Sequence, residues 1–324
     1  HGLRFDCDNA LGDGFCYDTW AGILDLPKYN LQNRELRSYL IEQARSWFRY
    51  YGIDGLRLDA ASDMDRGFLA ELADACRQER NDAWIMGEVV HGDYREWLSE
   101  GRLDSVTNYE AYKGLYSSFN DGNMHEIAYS LQRCFAEGGV YEGELLYSFA
   151  DNHDVSRVAS VLNDRLDLFP LYGLLYTMPG IPSVYYGSEY GMEGARTEHS
   201  DDQLRPWFDP RNPESTVTDP DWSELSHDLA GWIATLGKLR ADHPALQRGN
   251  YRELAVQSRV LAFRRELAED QAHESLVVAV NAEQGPLHLE LGEGPARDAL
   301  SGETVDLSQV SVQPRSVRVL GRSA

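Results

Sequence analysis

Five short apolar stretches, separated by segments with helical spacing, constrain this 324-residue chain more than any other feature. They are GIDGLRLD (52–59), AWIMGEVV (83–90), LDSVT (103–107), ELLYSFADNHD (144–154) and GIPSVYYG (180–187). RELRSYLIEQARSWFRYY (34–51) precedes the first. Leu36, Leu40, Trp47, Phe48 and Tyr51 recur at close to helical spacing, and Asn33 is a fair cap. DRGFLAELADACRQER (65–80) and residues 122–136 read as two further helices. A helical run at 165–178 contains Pro170, which should kink it or mark its start. A last helix spans 223–241. Alternation of this kind predicts parallel strands joined by crossover helices.

Residues 1–33, rich in Asp, Gly, Asn and aromatics, read as a leading loop segment packed on the α/β body. After about residue 244 the texture changes. RVLAFRRE, SLVVAVNA and LHLELG are short alternating strands, so 245–324 reads as a separate antiparallel β domain.

Composition narrows the function classes. The formal charge of −23 argues against nucleic acid as partner, because phosphates attract basic surfaces. No apolar run approaches the roughly 18 to 20 residues of a membrane span, so no membrane partner is expected. A cytoplasmic location is the expectation. Cys7, Cys16, Cys76 and Cys134 form no CxxC pair. Cys76 reads as a small buried hydrophobe, and Cys7 and Cys16 as free thiols that could pair. No GxGxxG or Walker loop joins a strand to a helix, which disfavours nucleotide binding.

The chemistry lies at the strand ends, where parallel α/β sheets and barrels bind ligands. Alternation puts Arg57 and Asp59 on one face, and the guanidinium favours a carboxylate at Asp59. A plain ion pair would look the same. Glu88, flanked by apolar residues, suits a general acid, although a loop glutamate is the blander reading. Asn152, His153 and Asp154 cluster after a strand. Asp154 could simply cap the next helix. Taken together, three acids on separate strands suit retaining glycoside cleavage. One attacks the anomeric carbon, one protonates the leaving oxygen and one holds sugar hydroxyls.

GLRLDAA (55–61), GEVV (87–90) and FADNHD (149–154) resemble, in order and spacing, the catalytic strands of the α-amylase family, glycoside hydrolase family 13. GIPSVYYGSEYG (180–191) resembles that family's eighth barrel strand and the loop after it. YDTWAGILDLPKYNLQNRELRSYL (17–40) resembles the lead-in to the fourth strand in its neopullulanase-like branch. The resemblance implies Asp59 as nucleophile, Glu88 as acid/base and Asp154 as stabiliser. It also implies that Arg57 orients Asp59 and His153 bonds sugar hydroxyls. Asn152, Asp202 and Arg205 are further candidates for substrate binding, with a surface ion pair the plain alternative for the last two. Tyr109, Tyr186 and Trp207 could stack on sugar rings, and His91 could line the pocket. The expected reaction is hydrolysis of α-1,4, and by extension α-1,6, bonds of malto-oligosaccharides. Glucanosyl transfer and non-catalytic carbohydrate binding are the alternatives. No cofactor is expected. Ser62 and Asp63 stand where many relatives carry Lys-His, which weakens a calcium site without removing it.

The same likeness implies an α/β fold with a partial (β/α)8 TIM barrel, strands four to eight, over residues 1–244. The family's first three strands, with the DxxxNH stretch, have no counterpart here. The expectation is therefore the back half of a longer enzyme, weakly active or inactive by itself, with open sheet edges.

Overall fold

A computed structural model of the protein describes residues 4–5, 12, 14–100, 102–197, 200–212, 220–269 and 272–321. By internal contacts the chain forms two units, His1–Thr107 and Asn108–Ala324.

The first unit begins with a two-residue antiparallel pair, β1 (Arg4–Phe5) and β2 (Phe15–Cys16). Cys16 is disulfide-bonded, against the free thiol expected from sequence. Cys7 lies outside the described residues. Helix α1 (Arg34–Tyr51) starts where Asn33 accepts a hydrogen bond from Leu36 N at 3.0 Å, and Gly52 ends it in the left-handed region. Only Ala44 and Phe48 of α1 are buried. Trp47, Tyr50 and Tyr51 are exposed, so the apolar spacing overstated the packed face. Helix α2 (Arg66–Glu79) is capped by Asp65 on Phe68 N at 2.8 Å and buries Phe68, Leu69, Leu72, Ala73, Ala75 and Cys76.

Strands β3 (Gly55–Leu58), β4 (Trp84–Gly87) and β5 (Ser105–Val106) pair in parallel in that order. Among the described residues β3 is therefore an edge strand, and it is only partly buried. Two glycines are required by close approach. A Cβ on Gly55 would lie 2.0 Å from Trp84 O, and one on Gly87 would lie 2.6 Å from Leu103 Cδ1 and 2.8 Å from Ala61 Cβ.

The second unit opens with α3 (Tyr109–Asn120) and α4 (His125–Phe135). The parallel pair β6 (Tyr147–Phe149) and β7 (Ile181–Ser183) encloses α5 (Val158–Val161) and α6 (Leu168–Thr177) in sequence. Pro170 sits in the first turn of α6 and marks its start without kinking it. Helices α7 (Pro220–Asp242) and α8 (Pro244–Arg248) follow.

The C-terminal strands are β8 (Asn250–Gln257), β9 (Val260–Glu269), β10 (Ala272–Asn281), β11 (Leu287–Leu289), β12 (Pro295–Asp298), β13 (Thr304–Asp306), β14 (Val310–Val312) and β15 (Ser316–Gly321). Six form one antiparallel sheet in the order β13-β12-β15-β10-β9-β8, and β11 pairs with β14. β9 is not half-solvated as its alternation suggests, since Val260, Leu261, Ala262 and Phe263 are all buried. Val260 and Ala262 join a core with Leu307, Val310 and Val312, while α6 and α8 pack on the sheet. Buried Arg265 donates to Thr177 O at 2.7 Å and buried Arg240 to Tyr176 O at 2.8 Å. Both satisfy carbonyls at the end of α6, where a cation also complements the helix dipole. Burial, aided by the charge of Arg240, depresses Arg265 to about 9.

Candidate active site

Each unit carries one cluster of the residues singled out from sequence. In the first, β3 delivers Arg57 to the sheet's carboxyl end, with Asp59 just beyond it. Arg57 Nη1 bonds Asp59 Oδ1, and Nη2 lies 3.0 Å from Glu88 Oε2. One guanidinium thus holds both carboxylates. The two differ in solvation: the Asp59 side chain is 78% exposed and that of Glu88 12%.

The backbone around Glu88 is fixed from several sides. Glu88 N donates to Leu58 O at 2.9 Å, and Glu88 O accepts from Ser62 N at 3.2 Å. Ala60 adopts φ +44°, a left-handed conformation that a non-glycine residue holds only when its surroundings impose it. In that conformation Ala60 N donates to Glu88 Oε2 at 3.0 Å. Thr107 Oγ1 accepts from Val89 N and donates to Val89 O, both at 2.9 Å, which pins the chain after β4. Buried Trp97 closes the turn through Nε1 to Ala61 O at 3.2 Å. His91 is exposed on the following loop.

In the second unit, the loop after β6 presents Asn152, His153 and Asp154. Asn152 Oδ1 accepts from Asp154 N at 2.8 Å, and Asn152 Nδ2 donates to Tyr109 OH at 3.2 Å. Asp154 Oδ1 accepts from Arg205 Nη2 at 2.9 Å, and its Oδ2 lies 3.2 Å from His153 Nε2. Arg205 Nε also donates to His153 O at 3.1 Å. The Asp202 side chain stays on an exposed turn, and Asp202 meets Arg205 through its carbonyl, 3.2 Å from Arg205 N. Besides Asp154, it is the Asp201 carboxylate and not that of Asp202 that faces Arg205, at 3.7 Å. Trp207 is 79% exposed, Tyr109 packs edge-on against Phe149, and Tyr186 OH is bonded to Pro206 O at 2.8 Å.

The capping role considered for Asp154 falls to Asp151. Its Oδ2 accepts from Val158 N and from Ser188 Oγ, each at 2.8 Å. Burial pushes Asp151 up to about 6, against the pull of these bonds and of Arg157. Sequence reasoning passed over Asp151 and Arg157, which is fully buried. Their signal was slight: an acid and a base flanking the NHD stretch. Among the described residues, no group of three His, Cys, Asp or Glu side chains is placed to hold a metal ion. Among the same residues, no helix is long and apolar enough to cross a membrane.

Comparison with known proteins agrees with the family resemblance read from the sequence. The catalytic-domain profile of alpha amylase matches residues 16–232. A cyclomaltodextrinase of a Bacillus species is 30% identical over 282 residues, 83% of this chain and 46% of its own length. Neopullulanase 2 of Thermoactinomyces vulgaris is 30% identical over 306 residues, 89% of this chain and 48% of its own. The crystal structure of an Anoxybacillus alpha-amylase superposes with TM-score 0.71 at 26% identity, covering 92% of this chain and 66% of that one. The chain spans about half the length of the curated relatives it matches. It belongs to the alpha-amylase catalytic-domain family.

Proposed function

We propose that this chain carries the catalytic carboxylates of a retaining α-glycoside hydrolase acting on α-1,4 and α-1,6 bonds of maltodextrins. The observation that carries the reading is the single Arg57 guanidinium shared by Asp59 and Glu88. Retention calls for two carboxyl groups about 5 to 5.5 Å apart, and a shared guanidinium favours such closeness. Names among the relatives (cyclomaltodextrinase, neopullulanase, intracellular maltogenic amylase) support a maltodextrin or cyclodextrin substrate.

In the proposed reaction the Asp59 carboxylate attacks the anomeric carbon while the bond to the leaving oxygen breaks. Glu88 passes its proton to that oxygen. With Oε2 taking hydrogen bonds from Ala60 N and Arg57, the proton belongs on Oε1. Glu88, now a carboxylate, takes a proton from water as that water attacks the anomeric carbon and frees Asp59. By the family resemblance Asp154 and His153 bind sugar hydroxyls in this reading, with Arg205 and Asn152 in support. The body through residue 244 corresponds in this reading to strands four to eight of a (β/α)8 barrel, and 245–324 to a C-terminal β domain.

Maltotriose, cyclodextrin and pullulan are the substrates to assay, with wild type, Asp59→Asn and Glu88→Gln. Release of glucose or maltose that both substitutions abolish supports hydrolysis. Longer oligosaccharides from maltotriose indicate transfer to a sugar hydroxyl. Binding without turnover in the wild type favours the carbohydrate-binding alternative. Turnover that survives Asp59→Asn overturns the assignment of the nucleophile.

A further inference from the structure

We propose that Arg157 is a positioning residue for the Asp154 cluster: its buried guanidinium fixes the backbone before Arg205 and thereby sets Arg205 against Asp154. The proposal deepens the sugar-cleaving reading and rests on it for what Asp154 does. The placement itself stands on geometry.

Arg157 follows Asp154 by three residues and has no exposed surface. Its hydrogen bonds reach three other segments. Backbone N donates to Gly194 O at 2.8 Å. Nη1 donates to Tyr186 O at 2.8 Å and to Ser188 Oγ at 3.2 Å, both in the loop after β7. Nη2 donates to Leu204 O at 2.9 Å, the carbonyl immediately before Arg205. The cation lies 4.5 Å from the Tyr185 ring centroid and 5.1 Å from that of Tyr186. Two aromatic faces and three fixed oxygens offset the cost of burying the charge, as does the nearby Asp151 carboxylate. Nε is without a hydrogen bond, so the hold is made by the two Nη ends.

That hold has a directional consequence. Arg205 reaches Asp154 Oδ1 and His153 O from a loop, and loops need anchoring for a guanidinium to stay in one place. Arg157 supplies the anchor at position 204. Gly194 makes the close approach possible, since a Cβ there would lie 2.3 Å from Gln203 O and 3.3 Å from Arg157 Cδ. Tyr186 adds a second tie through its hydroxyl on Pro206 O. Leu204 and Pro206 are thus fixed on either side of Arg205. Lysine cannot reproduce this, because an ammonium lacks the planar fork that reaches Tyr186 O and Leu204 O together.

Two arms test the proposal. The first is amide hydrogen exchange on folded Arg157→Lys and Gly194→Ala, the latter altering no charged group. Both are expected to raise exchange about tenfold or more in residues 200–208 while α3 and the β9–β10 hairpin keep their protection. A uniform rise across the second unit, or no change at 200–208, overturns the proposal. This arm is decisive even if the chain turns over no sugar, the result that would count against the hydrolase reading instead.

The second arm applies where maltotriose is cleaved. Arg157→Lys is expected to lower kcat/KM about tenfold in the wild-type background, and less than about threefold when Arg205→Ala is already present. Effects that multiply independently in the two backgrounds would show that Arg157 does not act through Arg205, and the positioning role would be withdrawn.

Discussion

The Arg57 guanidinium lies 3.0 Å from the Glu88 carboxylate, on a strand next to the one that leads into Glu88. The contact joins a half-solvated cation to an acid that is nearly out of solvent. Its partner on the other side is Asp59, which is open to solvent. One arginine therefore contacts two acids of unlike surroundings, 78% and 12% exposed.

Glu88→Gln removes a group that can give and take a proton while keeping its shape and its bond from Ala60 N. The expected loss in kcat on maltotriose is about a hundred- to ten-thousandfold. A maltoside whose leaving group needs no proton should be largely spared in its first step. Steady-state and burst kinetics on the two substrates check this. Equal losses on both would remove Glu88 from the role of acid.

Asp151 gives a pH dependence of stability with a defined sign. Its folded value is raised to about 6 from 3.8, so the native state binds the proton more tightly than the unfolded chain. Stability should therefore fall as pH rises from about 4 to about 6, and Asp151 contributes no further slope above that. The integrated effect is on the order of 1–3 kcal/mol. Urea unfolding of wild type and Asp151→Asn at pH 4.5 and 7 measures it. The variant should show the smaller loss between the two pH values, and identical slopes would contradict the burial argument.

Gly87→Ala places a methyl group against Leu103 and Ala61 at distances no carbon pair tolerates. A loss of about 1–3 kcal/mol is expected from overpacking. Because Gly87 precedes Glu88, activity should fall beyond what the unfolded fraction explains. A urea midpoint within error of wild type would count against the close packing of β4.

Cys76 and Cys134 are free, and burial pushes each thiol up to about 11. Neither should react with iodoacetamide at pH 8 in the native protein, because the thiolate is the nucleophile. Both should be modified once urea unfolds the chain. Peptide mass mapping distinguishes the states, and rapid native labelling at either position would show that it is not sealed in the core.

The sequence by itself determined the features that depend on local period and short motifs. The spacing of apolar residues set α1, α2 and the parallel strands, and Asn33 and Asp65 cap the two helices. Arg57, Asp59, Glu88 and Asp154 stood out as candidates because they follow or end those strands. Helix α3 (YEAYKGLYSSFN) was passed over, since its buried face is built from glycine and serine beside Ala111, Leu115 and Phe119. The tertiary structure decided which groups meet. Asp151, and not Asp154, serves the next helix. Asp201, and not Asp202, faces Arg205. β9 is buried on both faces because helices and a second pair of strands both pack on its sheet. Arg157 finds carbonyls 29 and 47 residues away. No periodicity in the chain encodes such pairings. They depend on how distant loops are routed past one another, and that path is set only when the strands have paired and the core has closed.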